Sequence, residues 1–126
     1  MDTDWVYFLI NLGLSEPIIK IGFTGYFKRR MSFYQGWYLM GVQEGDLKRE
    51  QYLHSLFRPY LVRGDEYYRP SEELLQYIYY NTHQSIPDEW LGQMKRFDMS
   101  VFDSVVDEAV WRAAPAANAS PREQEA

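Results

Sequence analysis

Two stretches near the start of the chain, Trp5-Val6-Tyr7-Phe8-Leu9-Ile10 and Ile18-Ile19-Lys20-Ile21-Gly22-Phe23, admit few structures. Both are dominated by aromatic and aliphatic, largely β-branched residues, a composition that suits a pleated and buried surface. Between them Asn11-Leu12-Gly13 opens a turn that Pro17 closes, so the pair predicts an antiparallel hairpin. One residue breaks the pattern. Lys20 puts an ammonium in the middle of a run that otherwise reads as buried. Alternation along a half-exposed strand would turn it to water. The other reading is a lysine kept for its charge.

The rest of the chain supplies elements to cover the hairpin. Thr24 suits the N-cap of a helix over 25–34, stopped by Gly36. Trp37–Gln43 reads as a third strand. Asp46 caps a second helix over Leu47–Phe57, ended near Pro59, and Gly64-Asp65 makes a turn. Glu66–Arg69 reads as a short extended piece, and Ser71 caps a third helix to about Tyr80. The order ββαβαβα predicts an α+β fold, a small and mainly antiparallel sheet flanked by helices. Three parts follow: a module over 1–80, a helical extension over 81–113 and a disordered tail over 114–126. In the extension, Pro87-Asp88-Glu89 starts a helix to about Phe97. A second helix, over 101–113, carries Val101, Phe102, Val105, Val106, Ala109 and Val110 on one face. That face would dock on the module or on a second copy, and the oligomeric state is left open.

Composition excludes some functions. The chain has no cysteine, which rules out disulfides and thiolate metal sites. No apolar run reaches membrane-spanning length, and the acidic start (MDTDW) does not resemble a secretory leader. A soluble cytoplasmic protein with no membrane partner is expected. The net charge of −5 comes mostly from the C-terminal part, where residues 81–126 hold four Lys/Arg against eight Asp/Glu. The first 80 residues are nearly neutral and hold two basic clusters, Lys28-Arg29-Arg30 and Lys48-Arg49, so a local basic surface survives the acidic total.

Further charged residues interrupt apolar stripes. Phe27, Met31 and Tyr34 mark the inner side of the first predicted helix, and Arg30 falls on the same stripe. An inward arginine is costly unless an anion meets it, whether an internal carboxylate or a phosphate. Glu50 and His54 lie within the apolar arc of the second helix, formed by Leu47, Leu53 and Phe57. Such a pair reads as a local hydrogen bond or as weak evidence for metal ligation. If Tyr7 and Lys20 share one face of the hairpin, a phenol, an ammonium, a guanidinium and a carboxylate converge. Those are the parts of a phosphodiester-hydrolysing centre.

The same residues resemble a family. Val6-Tyr7, Lys20-Ile21-Gly22-Phe23-Thr24, Arg30-Met31, Glu50-x-x-Leu53-His54-x-x-Phe57 and Gly64-Asp65-Glu66-Tyr67-Tyr68 look like the GIY-YIG nuclease superfamily. The likeness is to its short phage and bacterial branch, whose second motif reads KIG. Trp5 stands where the first motif has its glycine, and Lys20 where the second has its tyrosine. The resemblance implies that Tyr7 positions or deprotonates the attacking water, that Arg30 clamps the scissile phosphate and that Glu50 is the carboxylate ligand of the metal. His54 would be a neighbour in the site, Gly22 would keep the backbone close beneath it, and Glu66-Tyr67-Tyr68 would serve packing. Lys20 would lower the pKa of Tyr7 and attract phosphate.

The expectation is a metal-dependent endonuclease that hydrolyses DNA phosphodiester bonds by in-line water attack, with Mg²⁺, or Mn²⁺ in its place, on Glu50. Lys28, Arg29 and Lys48 would bind DNA, and a protein partner would supply specificity. The setting implied is the cytoplasm of a bacterial or phage-infected cell. The alternatives are a catalytically inactive module of the same kind that binds nucleic acid or a protein, and an unrelated α+β interaction domain.

Overall fold

The computed structural model describes residues 3–64 and 66–103. The two apolar runs form strands β1 (Trp5–Asn11) and β2 (Ile18–Thr24), paired antiparallel with Tyr7 opposite Gly22 and Leu9 opposite Lys20. The Asn11 side chain tightens the turn between them by accepting from the Gly13 amide at 2.8 Å. Helix α1 (Phe27–Met31) follows, then strand β3 (Tyr38–Glu44) and helix α2 (Leu47–Leu56). Strands β4 (Leu61–Arg63) and β5 (Tyr67–Tyr68) precede helices α3 (Glu72–Asn81) and α4 (Asp88–Leu91), and β6 (Lys95–Arg96) comes last. The result is an α+β fold on one open, mostly antiparallel six-stranded sheet in the order β4-β5-β2-β1-β3-β6. Among the described strands only the β3–β6 pair is parallel.

Alternation along β1 assigns its side chains to two layers. Val6, Phe8 and Ile10 face one way with Ile19 and Ile21 of β2, and α2 and α3 cover them with Leu53, Phe57, Leu74, Tyr77 and Ile78. Tyr7 and Leu9 face the other way and meet Phe27 and Met31 of α1, together with Ile86, Leu91 and Met94. Because β1 is apolar on both faces, it belongs in the sheet's interior, and its position between β2 and β3 fulfils that requirement. A bulge in β3 opposite Phe8 and Leu9 leaves Met40 out of the pairing, so Leu39 and Val42 both join the Tyr7 layer.

Two caps behave as the sequence predicts. The Asp46 side chain accepts from the Arg49 amide at 3.0 Å, and the Ser71 hydroxyl accepts from the Leu74 amide at 3.2 Å. Other expectations need correction. The helix expected over 25–34 is α-helical only from Phe27 to Met31 and tightens to a 3₁₀ turn over Ser32–Tyr34. Thr24 caps the preceding turn instead, its hydroxyl accepting from the Tyr26 amide at 2.9 Å. The helix expected from Pro87 to Phe97 stops at Leu91, because Gly92 turns into positive φ (63°) and Lys95–Arg96 pairs with β3. Phe97, Met99 and Phe102 pack on the α2–α3 side of the core, so residues 81–103 are built into the same sheet and core as the module. Of the second helix expected in the extension, over 101–113, the described part is a 3₁₀ turn over Met99–Phe102. The rest of it, from 104 to 113, and the tail expected to be disordered lie outside the described residues. No helix among the described residues is long and apolar enough to cross a membrane.

Candidate active site

Tyr7 is the centre from which the site can be built. Its side chain is fully buried in the α1 layer, with its ring against Phe27 and Tyr34. It fits because the residue opposite is glycine: a Cβ on Gly22 would fall 2.3 Å from the phenol carbon that bears the hydroxyl. The hydroxyl is buried and has no hydrogen-bond partner among the described residues. Lys20 and Gly22, two residues apart on β2, share the face of Tyr7, as the hairpin register requires.

Lys20 does not turn to water. Its side chain is 2% exposed, its Nζ lies 2.7 Å from Glu66 Oε2, and it sits 5.3 Å from the ring centres of both Tyr34 and Tyr67. A carboxylate and two aromatic faces thus answer the buried ammonium. Glu66 reaches it because β5 pairs with Ile19 and Lys20, and the Glu66 carbonyl accepts from the Ile21 amide.

Arg30 is exposed, on the rim of α1, rather than directed into the core. The helix is too short to carry the stripe from Phe27 to Tyr34, so Phe27 and Met31 alone are buried. The guanidinium nevertheless lies near enough to the Tyr7 hydroxyl to favour its ionised form, without completing a hydrogen bond to it. That effect loses. Burial first, then the Tyr34 phenol and the Glu66 carboxylate, push the Tyr7 pKa well above the ordinary tyrosine value. The expected lowering of Tyr7 by Lys20 is therefore corrected: Tyr7 is a neutral phenol at ordinary pH, equipped to donate a hydrogen bond rather than to take a proton.

Glu50 and His54 enter from the other layer, on α2. His54 Nε2 stands 3.8 Å from Glu50 Oε2, and its Nδ1 is hydrogen-bonded to the Tyr68 hydroxyl. Both line a cleft of about 410 Å³ with Arg58, Tyr68 and Glu66. The expected single hollow around residues 7, 20, 30 and 50 is therefore two adjoining parts. Tyr7, Lys20 and Arg30 gather on the α1 side of the sheet, and Glu50 and His54 on the α2 side. Glu66 belongs to both, paired with Lys20 in one and lining the cleft of the other. The junction falls at the sheet edge, where β5 leaves β2 uncovered by any described strand from Gly22 onward.

No group of three His, Asp or Glu side chains placed to cage an ion occurs among the described residues. Mg²⁺ asks for less, holding one or two carboxylates and keeping several waters. Glu50 and Glu66 on one cleft fit that demand.

The basic residues divide in the same way. Lys28 and Arg29 are exposed on α1, and Lys48 is exposed on the first turn of α2. Trp5 of β1 pairs with both Thr24 and Glu44, so α1 and α2 start from the same end of the sheet but on opposite faces.

Sequence reasoning overlooked Glu66 as a charged participant and Tyr34 and Tyr68 as holders of Lys20 and His54. The signal for Glu66 was present, since a lysine within a buried strand requires a carboxylate on the neighbouring strand. Comparison with protein families, with curated proteins and with solved structures yields no match to this chain.

Proposed function

We propose that this chain is a metal-dependent endonuclease of the GIY-YIG type that hydrolyses DNA phosphodiester bonds by in-line attack of water. The observation that carries the reading is Glu66, which joins the Tyr7–Lys20–Arg30 face to the Glu50–His54 cleft. Across that junction stand the groups that phosphoryl chemistry uses.

Arg30 is the exposed cation, and its planar fork suits two oxygens of the scissile phosphate. Tyr7, kept neutral by burial, donates its hydroxyl to a phosphate oxygen on which charge develops. Lys20 holds Glu66 in place. His54, fixed by Tyr68, orients the Glu50 carboxylate. Glu50, with Glu66 beside it in the cleft, would hold a hydrated Mg²⁺ or Mn²⁺. The bound ion supplies Lewis-acid stabilisation of the charge that develops on the phosphate. Lys28, Arg29 and Lys48 add phosphate contacts away from the reacting atoms, and a protein partner supplies sequence specificity.

The test is nicking of supercoiled plasmid in Mg²⁺ or Mn²⁺ by the wild type and by Glu50→Gln. Cleavage by the wild type, reduced at least about 100-fold in the variant, is expected. Equal cleavage by both would refute the assignment. One observation favours a second reading, a non-catalytic nucleic-acid-binding module: the Tyr7 hydroxyl is enclosed and Lys20 is already paired. That reading predicts metal-independent DNA binding with no nicking in any metal.

A further inference from the structure

We infer that the cavity beside α1 is a nucleobase site, which takes one unstacked base of single-stranded nucleic acid while Lys28 and Arg29 hold the adjoining phosphate. The inference rests on the nucleic-acid part of the proposed function and extends it to a cavity that neither Tyr7 nor Glu50 lines. The cavity measures about 720 Å³, within the range of about 300–1,000 Å³ common for ligand sites. Its walls are aromatic and basic: Trp5, Tyr26, Phe27, Trp90, Lys28 and Arg29. Phe27 is 4% exposed and forms the floor, with the rings of Trp5 and Trp90 at 6.4 and 6.2 Å from its own. Tyr26 stands at the mouth, 71% exposed, where its ring is open to a stacking partner.

The chemistry selects the occupant. Lys28 and Arg29 form no ion pair among the described residues, so two cations border an aromatic cavity with no anion assigned to them. Asp4 stands at the Gly25 end, which leaves the Lys28–Arg29 end for a phosphate. A π-face joined to a phosphate is a nucleotide. In a duplex the base faces are covered by stacking, so only a single strand or an extruded base can present one. The placement also accounts for Trp5, where the chain departs from the glycine of the first motif: its indole lines this cavity.

The experiment uses the full chain in EDTA, with fluorescence anisotropy of a labelled oligothymidylate about eight nucleotides long. An abasic strand of the same length and a glutamate-rich peptide are the competitors. The base-bearing strand should bind, and both competitors should bind at least about 10-fold more weakly. Tyr26→Ala should weaken binding about 10-fold while leaving the unfolding midpoint in place, since the ring is exposed. Lys28→Gln with Arg29→Gln should flatten the dependence of log K on log salt by about 0.7, one neutralised phosphate on a single strand. Equal binding of the abasic strand or the peptide, unaltered affinity in Tyr26→Ala, or no oligonucleotide binding at low salt would each overturn the inference. No turnover is involved. A chain that binds bases here but never nicks DNA loses the endonuclease reading and keeps this one, and a chain that nicks DNA with unaltered binding in Tyr26→Ala does the reverse.

Discussion

Breaking the Lys20–Glu66 pair from either side should have unequal consequences. Glu66→Gln leaves an ammonium in a site where its side chain is only 2% exposed. At 2.7 Å and an effective dielectric near 20, the lost attraction is about 6 kcal/mol. Part returns, because the Tyr34 and Tyr67 rings still face the ammonium and contribute about 1 kcal/mol each. Water also enters where the 40%-exposed Glu66 carboxylate stood. A net cost of about 3 kcal/mol follows, at the lower end of what breaking a buried pair costs. Lys20→Met removes the buried charge itself, fills the same slot between the two rings, and leaves Glu66 free to turn to water. Its cost should be about 1 kcal/mol or less. Urea unfolding followed by tryptophan fluorescence at neutral pH reads the difference: with m near 2 kcal/mol/M, Glu66→Gln should lower the midpoint by about 1.5 M. The double variant should behave like Lys20→Met. Equal losses in the two single variants, or a greater loss in Lys20→Met, would refute the claim that the carboxylate exists to answer a buried lysine.

Other consequences are open to simpler measurements. Tyr7→Phe removes a buried hydroxyl without a partner and should raise stability by about 1 kcal/mol in the same assay, while slowing DNA cleavage. The fold holds Tyr7 protonated beyond the point where the unfolded chain ionises, near pH 10. Wild-type stability should therefore be intact below about pH 10 and fall above it, more steeply than in Tyr7→Phe. Lys20→Met should leave the alkaline limb of the cleavage–pH profile unmoved, and a shifted limb would show that Lys20 tunes Tyr7. Gly22→Ala drives a methyl group into the Tyr7 ring and should cost about 1–3 kcal/mol by thermal or urea unfolding.

The hairpin was legible because its two runs are apolar on both faces, which leaves a central place in a sheet as the only economical solution. Asp46 and Ser71 were legible as caps because a side-chain oxygen three residues ahead of an amide is a local signal. Whether Tyr7 and Lys20 share a face was open in the sequence, and the pairing of Tyr7 with Gly22 and Leu9 with Lys20 puts them on one. What escaped depends on tertiary contacts. The helix after Pro87 has the composition of a longer one, yet pairing of Lys95–Arg96 with β3 and the turn at Gly92 override it. Arg30 looked buried because periodicity was extended through a helix that stops at Met31. The environment of Lys20 is built from Glu66, Tyr34 and Tyr67, which lie far along the chain or on another element, and no local pattern announces such a set.

The central claim is that two adjoining parts, one on each layer of the sheet, act as a single phosphodiesterase centre. Single-turnover cleavage of a DNA substrate by the wild type, Arg30→Gln, Glu50→Gln and the double variant tests it most directly. Residues that work on one transition state do not lose activity additively. The account predicts that the double variant is no slower than the slower single variant. Losses that multiply, or single variants that cleave as fast as the wild type, would contradict it.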